Sequence, residues 1–396
     1  MSEDKFTLDS GNGDGNNQAP DAQETTDLTA TKAESSEEVT TSPTTSSDST
    51  QPSPNKKKSK VSIYTIIRIF CLIGFLVFTG LFINDVVIQP YRIKKSIEFT
   101  RDLYTKPTDA PIVIVAPTEP PITEVVQATP TPDPNKDDQG RLLTFKKLLD
   151  TNNDVKGWID IPDTNINYLV VQSSKKDDPD YYLDKDINLD YSKAGTLYLD
   201  PRSSLETDTQ NLVIHGHNMV STQEKMFHFL LKYKTVSYYS EHPLISFDTI
   251  YDTGKWKVFA AFITNGSSKK EPLFEYRQST FKDSSEFLNF VYQLRNRSFI
   301  DVSSVDVNEN DQLLTLSTCS YEIDNYRFVV VARKVRPGED LTVDVTKVTK
   351  NDHPLFPDSY FSHYGGEAPV LAATFEEALA NGDIDWYIPP TDQVAK

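Results

Sequence analysis

Residues 61–83, VSIYTIIRIFCLIGFLVFTGLFI, constrain this chain more than any other stretch. The run is apolar on every face. At 1.5 Å per residue it is long enough to cross a hydrocarbon core of about 30 Å. Its one charge, Arg68, lies two turns from the edge, where an arginine can snorkel toward the lysines that precede the run. Those lysines, Lys56, Lys57, Lys58 and Lys60, predict a cytoplasmic N-terminus. The run begins too deep in the chain for a usual secretory signal, and no small-x-small cleavage site follows it. The expectation is a single-pass protein of the cell membrane, with a transmembrane helix over 61–84 and everything after about residue 85 outside.

Charge sharpens this layout. Residues 1–55 hold 11 acidic and 2 basic side chains, and residues 338–396 hold 11 and 3, so the two ends carry nearly all of the net −18. Acidity of this kind argues against nucleic acid as a partner. Residues 1–60 have almost no large apolar side chain and read as a disordered cytoplasmic segment ending in the lysine cluster. Residues 85–140 read as a short amphipathic stalk and then a proline- and threonine-rich extracellular linker. Residues 141–337 read as a globular domain. Residues 338–396 follow Pro337 and start with GED, contain few apolar residues and are expected to form a flexible acidic extension, in which TFEEALANG has room for one or two helical turns.

Within 141–337, short apolar runs recur at turn-marked spacing: WIDI, INYLVV, GTLYL, NLVIH, LISF, WKVFAAFI, QLLTLST and RFVVVARKV. Helical patterns interrupt them. RLLTFKKLLD has one apolar face, STQEKMFHFLLKYK opens on a Ser221-x-x-Glu224 capping box, and DSSEFLNFVYQLRN places Phe287, Phe290, Val291 and Leu294 together. Eight short strands with a few helices predict a mainly β fold, a closed or nearly closed barrel with helical additions.

The chain has two cysteines. Cys71 lies in the apolar run and Cys319 lies outside it, so they do not pair. An unpaired thiol outside the cell is either a small buried core residue, half of an intermolecular disulfide, or a nucleophile. A thiol with an ordinary pKa of about 8.5 needs a base or cation beside it to act, and usually a donor for the oxyanion. Of the six histidines, His228, His242, His353 and His363 have structural explanations in a helix, a turn and the acidic extension. His215 and His217 end the apolar strand NLVIHGHNM, where Gly216 permits a kink that separates them. The pair also admits a structural strand cap, or a His/His/Cys zinc site with Cys319. Arg327 either is a solvated strand-end charge or opens the strand antiparallel to that of Cys319, with SYEIDNY turning between them. In the second case its guanidinium comes within reach of a group bonded to the sulfur.

Taken together, NNDVKGWIDIPDTNINYLVVQ, YYLDKD, AGTLYLDPR, NLVIHGHNM, MFHFLLKY and TLSTCSYEIDNYRFVVVAR resemble a class B sortase over roughly residues 141–335. The TLxTC-type motif with an arginine eight positions on is the specific part. The resemblance implies a closed eight-stranded sortase-like β-barrel with several added helices, preceded by one transmembrane helix. It implies transpeptidation at the surface of a Gram-positive bacterium. Cys319 would cleave a C-terminal sorting signal of the Asn/Ser-Pro-x-Thr type after threonine, through a thioester. The protein so cleaved would pass to an amine of peptidoglycan or of a pilin, with water as a competitor. His217 would move the protons and Arg327 would steady the oxyanion. Ser317 and Thr318 would flank the nucleophile where the family contacts substrate. No metal or organic cofactor is implied. His215 departs from the family pattern, which often has a tyrosine there, and the extension after residue 337 has no counterpart in the minimal domain. The alternatives are a non-catalytic surface binding module and a His/His/Cys zinc hydrolase.

Overall fold

The computed structural model describes residues 62–105, 133–175, 177–207, 209–220, 225–269 and 271–390. The acidic N-terminal segment, the lysine cluster, most of the proline- and threonine-rich linker and the Ser221–Glu224 capping box lie outside them. Residues Ile66–Lys396 form one compact unit, and of Met1–Thr65 only the first turn of a helix is described.

That helix, α1 (Ile63–Ile83), is long and apolar enough to cross a membrane, and none of its residues is buried in protein. A π-helical turn at Asn84–Ile88 marks the passage from apolar to polar sequence and leads into α2 (Gln89–Leu103). α2 does more than extend away as a stalk. It buries Ile93 in the domain core, and its Arg101 donates to the Asn167 carbonyl. Just beyond it, Tyr104 stacks on Trp158 at 4.4 Å and donates to Asp248.

The domain is built from β1 (Val155–Asp160), β2 (Asn167–Val171), β3 (Leu197–Leu199), β4 (Asn211–His215), β5 (Asn218–Met219), β6 (Lys225–Met226), β7 (Leu244–Thr249), β8 (Lys255–Asn265), β9 (Ile300–Val302), β10 (Leu313–Ser320), β11 (Tyr326–Lys334) and β12 (Val348–Lys350). Eight of these form a closed barrel in the order β1-β2-β3-β4-β10-β11-β8-β7, with β7 pairing back to β1. They are the eight strands expected from the apolar runs. β10 and β11 are buried on both faces over most of their length, which is why they read as near-continuous apolar runs. β10 lies between β4, parallel to it, and β11, antiparallel to it, so the ends of three strands meet at one rim.

Helices α3 (Lys146–Thr151), α4 (Val236–Glu241) and α5 (Ser284–Arg297) cover the barrel. α5 is capped by the Asp283 side chain and buries Phe287, Phe290, Val291 and Leu294, the face expected of it. In STQEKMFHFLLKYK the described part differs from a capped α-helix. Lys225–Met226 is strand β6, and His228–Lys234 is a 3₁₀-helix.

The C-terminal extension also departs from expectation, because it folds onto the domain. β12 pairs with β9, and α6 (Asp358–Tyr364) and α7 (Phe375–Asn381) follow. Phe375, Ala378 and Trp386 enter the main core. Glu339 makes a two-pronged ion pair with the fully buried Arg333 of β11, at 2.6 and 2.7 Å. The segment is poor in aliphatic side chains. A few aromatic rings suffice to anchor it, since each buries some 150–250 Å2.

Candidate active site

Cys319 is the penultimate residue of β10 and Arg327 the second of β11, and the ladder pairs them directly across the two strands. The sulfur is free and half-buried. The turn between the strands ends on Asn325, whose φ of 65° is in the left-handed region that asparagine tolerates. The Asn325 carbonyl accepts from Gly266 N at 2.7 Å. A Cβ on Gly266 would stand 2.6 Å from that oxygen and 3.0 Å from Arg327 Nη1, so only glycine lets the end of β8 come this close.

β4 delivers the histidines. Its parallel register with β10 sets His215 beside Ser317, and His217 follows two residues past the end of the strand. The strand breaks at Gly216, whose N–H donates to the Ser317 carbonyl at 3.1 Å. A Cβ at Gly216 would lie 2.2 Å from Leu197 Cδ2 and 2.9 Å from Phe227 Cδ2. Glycine is therefore required there by packing, and the two histidines part company. His217 Nε2 donates to the Leu183 carbonyl at 2.9 Å, which fixes the neutral tautomer with Nδ1 as the basic nitrogen.

His215 turns the other way. Its Nε2 meets the buried Asp200 carboxylate at 2.9 Å, and its ring packs on Tyr198. Burial pushes the Asp200 carboxyl up, but the bond from His215 and the charge of Arg202 outweigh it and hold the group below its ordinary value. With Arg327, Tyr276 and Arg277, this pair lines a groove of about 370 Å3. His215 is thus engaged with Asp200. Among the described residues no group of three or more His, Cys, Asp or Glu side chains is placed to hold a metal ion.

Ser317 and Thr318 are only 1% and 2% exposed. The Ser317 hydroxyl bonds to Tyr276 Oη at 2.9 Å, and Thr318 Oγ1 donates to the Gly216 carbonyl at 2.8 Å. Both side chains tie the nucleophile strand to its neighbours.

Three further residues hold this rim, and nothing in their local sequence singles them out. Asn218 Nδ2 donates to the Cys319 carbonyl at 2.9 Å, while its Oδ1 accepts from His228 Nδ1 at 2.8 Å. Tyr321 Oη donates to the Asn218 carbonyl at 3.1 Å. His228, which reads as a helix residue in sequence, belongs to the support of the nucleophile.

Residues 159–335 match the family model of the sortase domain. The sortase B of Staphylococcus aureus is 30% identical over 194 residues, which span 48% of this chain and 75% of that protein. The sortase B of Listeria monocytogenes is 31% identical over 180 residues, spanning 46% of this chain and 68% of that protein. The chain belongs to the class B sortases. Among solved structures, the Staphylococcus aureus sortase B–substrate complex aligns with 49% of this chain and 85% of its own at 29% identity and a TM-score of 0.43. As a sortase, the protein is a cysteine transpeptidase of the kind that anchors surface proteins.

Proposed function

We propose that this sortase cleaves a C-terminal sorting signal of the Asn/Ser-Pro-x-Thr type after threonine and transfers the cleaved protein to an amine of peptidoglycan or of a pilin. The observation that carries the residue assignment is the direct cross-strand pairing of Cys319 and Arg327 at the rim where β4 ends, two residues before His217. The Cys319 thiol gives its proton to His217, and the thiolate so formed attacks the threonine carbonyl carbon while the carbonyl π electrons move onto oxygen. Arg327, a permanent cation with forked donors, faces that oxyanion. The oxyanion collapses and the threonine C–N bond breaks. His217 protonates the departing amine and leaves a thioester on Cys319. The acceptor amine then attacks the thioester, loses a proton to His217, and expels the thiolate. Ser317 and Thr318 support the nucleophile strand from within. The chain is read as N-terminus in, with α1 in the membrane and the catalytic domain outside.

The test uses the full chain in detergent micelles, a quenched x-Pro-x-Thr-x peptide library and triglycine as acceptor, followed by mass spectrometry. Cleavage after threonine and a threonyl adduct on Cys319 are expected. Cys319→Ala should abolish both. His217→Ala should slow turnover by about 10²–10⁴-fold, the usual weight of a general acid–base. Turnover that persists in Cys319→Ala would sink the reading.

A further inference from the structure

The five-residue turn from Tyr321 to Asn325 joins the nucleophile to the arginine, and Arg327 does little to fix its own aim. Its guanidinium contacts are long: 3.2 Å to the Tyr326 carbonyl, and 3.4 and 3.5 Å to Asn325 Oδ1 and carbonyl. Its direction therefore depends on where the hairpin backbone is held. Three of the holds come from within the barrel domain: Gly266 N on the Asn325 carbonyl, Tyr321 Oη on the Asn218 carbonyl, and Lys234 paired with Glu322.

The others come from the C-terminal extension. Tyr364 Oη, at the end of α6, donates to the Glu322 carbonyl at 2.9 Å, in the middle of the turn. Ser359 Oγ contacts Tyr326 Oη, on the residue before Arg327. Ser359 in turn donates through Oγ and N to the two Glu271 carboxylate oxygens, at 2.6 and 2.8 Å. A carboxylate only accepts, so the Ser359 proton points to Glu271 and the Tyr326 hydroxyl is the donor to Ser359. α6 is itself fixed by a run of rings. Tyr360 packs on Phe356 at 4.2 Å, Phe356 on Phe299 at 5.4 Å, and Phe299 stacks on Phe328 at 6.1 Å. Phe328 is the residue after Arg327. The extension thus grips the arginine's strand on both sides of it and the turn ahead of it.

We propose that Ser359 and Tyr364 are positioning residues of this sortase, holding the Cys319–Arg327 hairpin so that the guanidinium faces the developing oxyanion. This rests on the catalytic assignment of Cys319 and Arg327 above. The extension is then a working part of the catalytic domain. A hold that matters in the transition state lowers kcat when lost and leaves substrate affinity in place.

The experiment compares the full chain with Ser359→Ala, Ser359→Thr and Tyr364→Phe, each alone and in an Arg327→Lys background, with melting temperatures measured in parallel. Tyr364→Phe and Ser359→Ala are expected to lower kcat about tenfold with KM within about twofold, which is about 1.4 kcal/mol in the transition state. Ser359→Thr, which keeps the hydroxyl, should recover most of the rate. In the Arg327→Lys chain, where the fork is gone, the same substitutions should cost less than about twofold, the coupling expected of residues acting through one group. Equal losses in both backgrounds, or a loss of rate that only tracks the melting temperature, would overturn the proposal. So would unchanged kcat in both variants. If Cys319→Ala or Arg327→Ala retains full activity, the catalytic assignment itself fails, and that result is distinct from these.

Discussion

Gly195 shows how one atom sets His217, the proposed acid–base. Its φ is +60°, and an added Cβ would stand 2.3 Å from the Leu183 carbonyl oxygen, the acceptor of His217 Nε2. Gly195→Ala must therefore move that oxygen as well as strain the backbone. The expected result is a loss of about 1–3 kcal/mol in unfolding free energy and a fall in kcat of tenfold or more. Urea denaturation and steady-state kinetics measure the two, and wild-type kcat would mean that the Leu183 carbonyl does not orient the histidine. At this scale Cys319, His217 and Arg327 stand out in the sequence because each sits at the end of an apolar run and within a stretch that resembles the sortase motifs. Asn218, which holds the Cys319 carbonyl from 101 residues away, carries no such mark.

At the level of elements, the eight barrel strands were legible because each is a short apolar run closed by turn residues. β5, β6, β9 and β12 were not, since their two or three residues lie outside the apolar runs. Yet β5 carries Asn218, and so ties the nucleophile strand to the 3₁₀-helix that bears His228. Asn218→Ala removes both bonds at once. The expectation is a cost of about 1–3 kcal/mol, the usual penalty for stranding a buried polar partner. Amide exchange should quicken at the end of β10 and stay unchanged in the β1–β2 pair. Uniform exchange across the barrel would show instead that Asn218 serves global stability.

For the molecule as a whole, the decisive element is the ion cluster that begins the C-terminal extension. Burial raises the Glu339 carboxyl, but Arg333, Lys257 and the Arg336 N–H together hold it down at about 2, against 4.5 when free. A depressed carboxylate stabilises the fold fully above its unfolded value. That contribution fades as pH falls from about 4.5 toward about 2. Stability should drop through this window, and Glu339→Gln should be less stable at neutral pH and flatter below pH 4.5. Thermal melts between pH 2 and 7 measure both, and parallel curves for the two proteins would rule out Glu339 as the source. A chain ending at residue 337 loses Glu339 altogether. It leaves the buried Arg333 with only the longer contact to Asp306 at 3.5 Å and the Lys334 carbonyl, a change that costs up to about 3–5 kcal/mol, together with the exposed seats of Phe375 and Trp386.

Local order was enough to mark the run long and apolar enough to cross a membrane, the eight strands and the motif residues, because hydrophobic period and apolar length are written in consecutive side chains. The tertiary structure alone decided the rest. It sent His215 to Asp200 and His217 to Leu183, since Leu197 of β3 and Phe227, just after β6, crowd Gly216. It buried the hydroxyls of Ser317 and Thr318 against Tyr276 and Gly216. It also made an acidic extension part of the core, because a few aromatic rings and one carboxylate found partners that only the folded barrel brings together.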